Sequence, residues 1–160
     1  MEPVRNDTTA DRRTAVELAK RLLVDSIWRT AKIEVDGVTF PDTQEIFDGR
    51  APEGMSVDDI VTVNNIKRAW RFLLENIDYP VDWQYIREYN RIIGEGLVRD
   101  AGRLREYGVR IGGTGWVPEI PTVESSQERV RGILEESEGE DTAMLLFGAV
   151  TRGQWFSDGN

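Results

Sequence analysis

Apolar residues return at helical spacing in one segment after another of this chain, and most of these segments open on a capping residue and close on a glycine or proline. A chain patterned in this way folds mainly as packed helices. Thr8 and Asp11 have capping-box spacing, and Ala15, Leu18, Ala19, Leu22, Leu23, Ser26 and Ile27 fall on one stripe, which predicts an amphipathic helix ending near residues 28–33. Val35-Asp36-Gly37-Val38 then marks a turn, and a short helix is expected from Asp42 to Phe47 with Gly49 as its stop. Ser56 and Asp59 open a helix expected over about 57–77, with Ile60, Val63, Ile66, Trp70, Leu73, Leu74 and Ile77 on its apolar face. Pro80 breaks it. Asp82 caps the next, over about 82–99, in which Trp83, Ile86, Tyr89, Ile93 and Leu97 mark the buried face and the Gly94 and Gly96 pair weakens the end.

Thr122 or Glu124 starts a further helix over about 123–137, carried by Val130, Ile133 and Leu134. The acidic run from Glu135 to Asp141 reads as a solvated loop. Asp141 then caps a last helix, about 141–152, whose Ala143, Met144, Leu145, Leu146, Phe147, Ala149 and Val150 are apolar on nearly every side, the pattern of a helix inside a core. Between Ala101 and Thr122 the period changes. Val109, Ile111, Gly112, Gly113, Gly115, Trp116, Val117, Pro118 and Pro121 predict two short extended segments around a glycine turn, a β-hairpin over about 105–121.

The residue types that are missing exclude much chemistry. The 160 residues contain no cysteine and no histidine, which removes thiolate and imidazole nucleophiles and bases as well as zinc sites built from those ligands. Magnesium, which needs only oxygen ligands, stays open. A formal net charge of -9 repels phosphate backbones, so nucleic acid is not an expected partner. No stretch approaches the roughly 20 apolar residues of a membrane span, and Met-Glu-Pro-Val-Arg lacks the apolar core of a secretory leader, so no membrane partner and a cytoplasmic location are expected. Trp28 and Trp83 are expected in the core, and Trp116 on an exposed glycine-rich loop.

Directly after the last apolar helix comes Gln154-Trp155-Phe156-Ser157-Asp158-Gly159-Asn160. This run resembles the signature of the Fic (Fido) family, in which His, any residue, Phe, any residue, Asp or Glu, Gly and Asn lead into a further helix. Two more segments carry the same resemblance in the family's order. Thr30-Ala31-Lys32-Ile33-Glu34 is similar to the family's self-inhibitory Ser/Thr, three residues, Glu pattern, continued by Val38, Thr39, Phe40, Glu45, Ile46 and Gly49, although Val35 stands where glycine or asparagine is usual. Gly102, Arg105, Val109, Arg110, Ile111, Gly112, Gly113, Trp116, Pro118 and Pro121 resemble the stretch that forms the flap over the family's active site.

The resemblance implies a mainly α Fic-type helical bundle with a small β-hairpin flap. Residues 1–55 would be an N-terminal helical segment and 56–160 the core. It implies transfer of AMP, or a related nucleotide-derived group, from ATP to a protein hydroxyl, with ATP and Mg2+ as cofactors. Phe156 would anchor the loop, and Asp158, Gly159 and Asn160 would bind the nucleotide, Asp158 holding magnesium. The flap residues Ile111, Gly112, Gly113, Thr114, Gly115 and Trp116 would dock a protein target, and Thr30 and Glu34 would make a self-inhibitory contact.

Gln154 takes the place of the catalytic histidine, and an amide does not titrate near neutral pH. The family's next residues, Gly or Lys followed by Arg, would lie beyond Asn160, and the resemblance therefore implies a longer polypeptide. Three readings follow from the residues: a transferase, an inactive Fic-fold regulator or binding module, and a plain helical domain ending in an Asp-Gly-Asn turn. The target protein and the oligomeric state are not written in the sequence.

Overall fold

The structure, a computed structural model, describes residues 12–160. The Thr8–Asp11 capping box lies outside these. Among the described residues there are seven helices: α1 (Arg12–Arg21), α2 (Leu23–Glu34), α3 (Phe40–Phe47), α4 (Val57–Glu75), α5 (Trp83–Gly94), α6 (Val123–Glu136) and α7 (Gly139–Gly153). The chain divides into two units, Met1–Asn76 and Ile77–Asn160. The division falls after Asn76 rather than after residue 55, because α4 packs against α2 and α3.

In the first unit the expected amphipathic helix is interrupted at Leu22, although the bonds from Leu22 N to Leu18 O and from Ser26 N to Leu22 O run across the break. The stripe read from the sequence is buried only from Leu23 onward: α1 has no buried residue, and Leu18 and Leu22 are exposed. Leu23, Ile27 and Ala31 of α2 join Val35, Val38, Ile46, Val63 and Ile66 in the core, with Trp28, Phe47, Met55, Ile60, Trp70 and Leu74 packed around them. Trp28 is half-buried. Its Nε1 donates to the Val38 carbonyl at 3.2 Å, and its ring meets Phe40 edge-on at 5.9 Å.

Helix α3 starts at Phe40, ahead of Asp42, because Thr39 takes the cap position. The Thr39 hydroxyl accepts from Asp42 N, and the Asp42 carboxylate accepts from Thr39 N. Pro41 fits there, since a helix's first turn needs no donor from it. Lys67 of α4 closes the other end by donating to the carbonyls of Ile46 and Phe47, and burial pushes its ammonium below the ordinary lysine range.

In the second unit, Asp82 caps α5 as its spacing requires, its carboxylate accepting from Tyr85 N at 2.8 Å. The helix stops at Gly94, well short of residue 99. Gly96 turns into the left-handed region with φ 78°, and the chain folds back so closely that a Cβ on Gly94 would stand 2.7 Å from the Ala101 Cβ. Leu97, expected on the buried face, is therefore exposed.

Helix α6 opens on a Thr122–Ser125 capping box, and buries Val130 and Ile133 but not Leu134. The acidic run is not a loop over its whole length. Glu135 and Glu136 close α6, and Glu140 and Asp141 sit in the first turn of α7, where negative charge opposes the positive end of the helix dipole. Asp141 is accordingly inside α7 and not its cap. Nor is α7 enclosed: one face packs Leu146, Ala149 and Val150 onto the second core, while Met144 and Phe147 are 67% and 65% exposed. That core is built on Trp83, Val130, Trp155 and Phe156.

Among the described residues no strand forms, so the expected β-hairpin is absent, and the one antiparallel bridge joins Leu104 to Phe156. The reason lies in where the carbonyls point. Those of Tyr107, Pro118 and Glu119, which a ladder would use, accept from the Arg105 guanidinium instead. Pro118 and Pro121 moreover have no N–H to give. No helix among the described residues is long and apolar enough to cross a membrane.

Candidate functional site

The C-terminus of α7 delivers the chain into a closed loop. Gln154 caps the helix in the left-handed conformation, φ 46° and ψ 56°, and is the one non-glycine residue with positive φ among those described. For an L-residue other than glycine, asparagine or aspartate this geometry is uncommon. Its side-chain amide turns back and donates to the Thr151 carbonyl at 2.8 Å.

Two buried aromatics follow. Phe156 stacks on Trp83 with the rings 3° from parallel and 5.9 Å apart, and Trp155 meets the same indole edge-on at 5.7 Å. Burying an aromatic of this size contributes roughly 2–3 kcal/mol each, enough to fix the loop to the unit's core. Trp83 is buried, in line with its place on the apolar stripe.

Polar groups hold the remainder. Asn160 places its Oδ1 on the Phe156 N–H and its Nδ2 on the Phe156 carbonyl, both at 2.8 Å, which closes residues 156–160 as a ring. Gly159 takes φ 68° at the tip, and its N–H donates to the Asp158 carboxylate at 2.8 Å. The buried Asn90 of α5 joins two segments: its Nδ2 donates to the carbonyls of Asp158 and Gly159, and its Oδ1 accepts from Gly102 N at 2.8 Å. Ser157 donates to Asp100 at 2.8 Å. The loop is thus fixed by side chains from α5 and from the turn at 99–103.

The residue that organises the surroundings is Arg105, only 1% exposed. Its backbone N–H donates to the Trp155 carbonyl at 2.9 Å. Its guanidinium donates to the carbonyls of Gln154, Tyr107, Pro118, Glu119 and Gly153. A cation buried without a carboxylate is stabilised here by aligned carbonyl dipoles, two of them at the C-terminal, negative end of α7. Sequence reasoning placed Arg105 in the flap-like stretch without giving it a role. Asn90 had no signal at all beyond being a polar residue inside an amphipathic helix.

The segment 111–116 is a self-closed turn. Ile111 N donates to the Trp116 carbonyl and Thr114 N to the Ile111 carbonyl, each at 3.3 Å, and the Thr114 hydroxyl donates to the Ile111 carbonyl and accepts from Trp116 N. Gly113 supplies the positive φ, 73°, that such a turn needs, and Gly112 and Gly115 are exposed beside it. Trp116, exposed as expected, donates its Nε1 to the Arg152 carbonyl at 3.0 Å, and the Arg152 guanidinium lies 4.8 Å from its ring. Arg105 bonds the 105–121 segment to the start of the 154–160 loop, and Trp116 bonds it to the last turn of α7.

Thr30 and Glu34 belong to α2 in the other unit. The Thr30 hydroxyl donates to the Ser26 carbonyl at 2.9 Å, and Glu34 is the last, exposed residue of the helix.

No cluster of three or more carboxylates that could hold a metal ion occurs among the described residues. Asp158, exposed at the loop tip, fits a magnesium ion only in the manner of sites that use one or two carboxylates and complete the shell with water and substrate phosphates. Neither a protein-family model nor a curated protein sequence matches this chain. What the fold defines is a mainly helical protein whose second unit presents a pinned loop at 154–160.

Proposed function

We propose that this chain carries a Fic-like domain that binds a magnesium–nucleotide at the 154–160 loop and, with Gln154 in the place of the family's histidine, does not transfer the nucleotidyl group. The observation that carries this reading is the loop itself. A buried Phe156, an exposed Asp158 and a left-handed Gly159 follow one another after α7, in the order of the signature. Phe156 serves as the anchor, Asp158 as the single carboxylate for magnesium, and Gly159 and Asn160 as the backbone turn beside the phosphates. When bound, magnesium would neutralise phosphate charge.

Gln154 argues against transfer on two grounds. Its amide has no titration near neutral pH, and it is bonded to its own helix through Thr151. In this reading the 105–121 segment, held in place by Arg105, is the flap along which a protein target docks by strand addition. Thr30 and Glu34 take the inhibitory role on the resemblance alone, with Glu34 exposed at the end of α2.

The test is incubation of the intact protein with labelled ATP, magnesium and a cell lysate. The proposal expects no labelled protein with the native chain. With Gln154→His, labelling should rise by about 10²- to 10⁴-fold, the usual contribution of a general base. Equal labelling by both forms, or none with the histidine variant, would overturn it.

A further inference from the structure

A second concave site borders the same turn that fixes the loop. A groove of about 460 Å³ between α5 and residues 99–103 is lined by Gln84, Arg87, Glu88, Arg91, Arg99 and Arg103, with Ala101 and Gly102 at its floor. Four arginines face one glutamate there, in a chain whose formal net charge is -9. No lysine occurs after Lys67, so every basic side chain in Ile77–Asn160 is a guanidinium, the cation suited to bidentate recognition of phosphate.

The groove is preorganised on one wall and unpaired on the other. Arg87 is fixed by donating from Nε to the Gly102 carbonyl at 3.1 Å and from Nη1 to Gln84 at 3.2 Å. Arg91 is held in a fork by Glu88, at 2.9 and 2.7 Å, and reaches Glu95 at 3.2 Å. Among the described residues neither Arg99 nor Arg103 makes an ion pair, and both are exposed. The nearest carboxylate in sequence, Asp100, is engaged by the Ser157 hydroxyl.

The turn is brought this close by Gly102. With φ 74°, it lies so near α5 that a Cβ would stand 2.7 Å from the Arg91 Cβ. Unpaired guanidinium groups concentrated in a concave site attract a compact multivalent anion, and a volume of this size falls in the range of small-molecule sites.

We propose that this groove binds a free oligophosphate, with Arg99 and Arg103 as the grasping groups and Arg87 and Arg91 as the fixed wall. The site is independent of the nucleotide reading of the 154–160 loop. Inorganic pyrophosphate, titrated into the intact protein by calorimetry without magnesium, should bind saturably at one site per chain.

The Arg99→Gln/Arg103→Gln double variant should weaken that binding by about tenfold or more, since each lost contact is a charge-assisted hydrogen bond. Both side chains are exposed, and an unchanged circular dichroism spectrum separates this loss from misfolding. Asp158→Ala, which removes the carboxylate of the other loop, should leave pyrophosphate binding unchanged. Absence of saturable binding, full binding by the arginine variant, or loss in Asp158→Ala with retention in the arginine variant would each overturn the assignment. The last outcome would place the anion on the 154–160 loop and leave that reading intact.

Discussion

Arg105 shows how one buried cation orders a segment that has no regular structure. Five carbonyls, from Tyr107, Pro118, Glu119, Gly153 and Gln154, converge on its guanidinium. Removing the side chain leaves those partly buried oxygens without this donor, and each acceptor left unpaired away from water costs on the order of 1 kcal/mol or more. Arg105→Met is therefore expected to lower the free energy of unfolding by about 3 kcal/mol in urea titration, with a loss below about 1 kcal/mol contradicting the assignment. Arg105→Lys should recover only part of it, because three donors on a flexible stem do not reproduce five in a plane. None of this was legible in the sequence. Burial of an arginine in a glycine- and proline-rich stretch depends on carbonyls from separated segments, and periodicity carries no record of them. The sequence marks Phe156 as the loop's anchor through the resemblance alone, and its burial against Trp83 is what the structure adds. Gln154 was legible as an amide that does not titrate near neutral pH, but its left-handed backbone and its bond to Thr151 were not.

The helices follow their caps more closely than their apolar stripes. Thr39, Ser56, Asp82 and Thr122 each accept from a backbone N–H three residues on, and each opens a helix. Thr39→Ala removes the hydroxyl half of the α3 box, leaving the Asp42 carboxylate on the backbone N–H of residue 39, and should cost about 1 kcal/mol of stability, read as a lowered thermal midpoint, whereas Thr39→Ser should be nearly neutral. Where the sequence reading and the structure part, the stripe was the misleading signal. In α1, and on the face of α7 that carries Met144 and Phe147, apolar residues recur at helical spacing yet stay exposed, because a stripe says that a face could be buried and not that a partner covers it. The end of α5 and the flap differ for another reason. Glycines at 94, 96, 112, 113 and 115 permit several backbone paths, and the choice among them is made by Asn90 and Arg105 from elsewhere in the unit.

At the scale of the whole molecule, the chain sets an acidic average against two local features of Ile77–Asn160: a pinned loop with one exposed carboxylate and a groove of arginines. The mainly helical class was readable from period and caps alone. The division at Asn76 was not, because α4 carries an ordinary amphipathic pattern and only packing reveals which neighbours it serves. The central claim is that residues 154–160 form a nucleotide site. Calorimetric titration of magnesium–ATP into the Arg99→Gln/Arg103→Gln protein, with Asp158→Ala added as the comparison, examines it with the arginine groove silenced. Saturable, magnesium-dependent binding is expected, falling by about tenfold or more when Asp158 is replaced. Binding that ignores Asp158 and magnesium, or no binding at all, would contradict it.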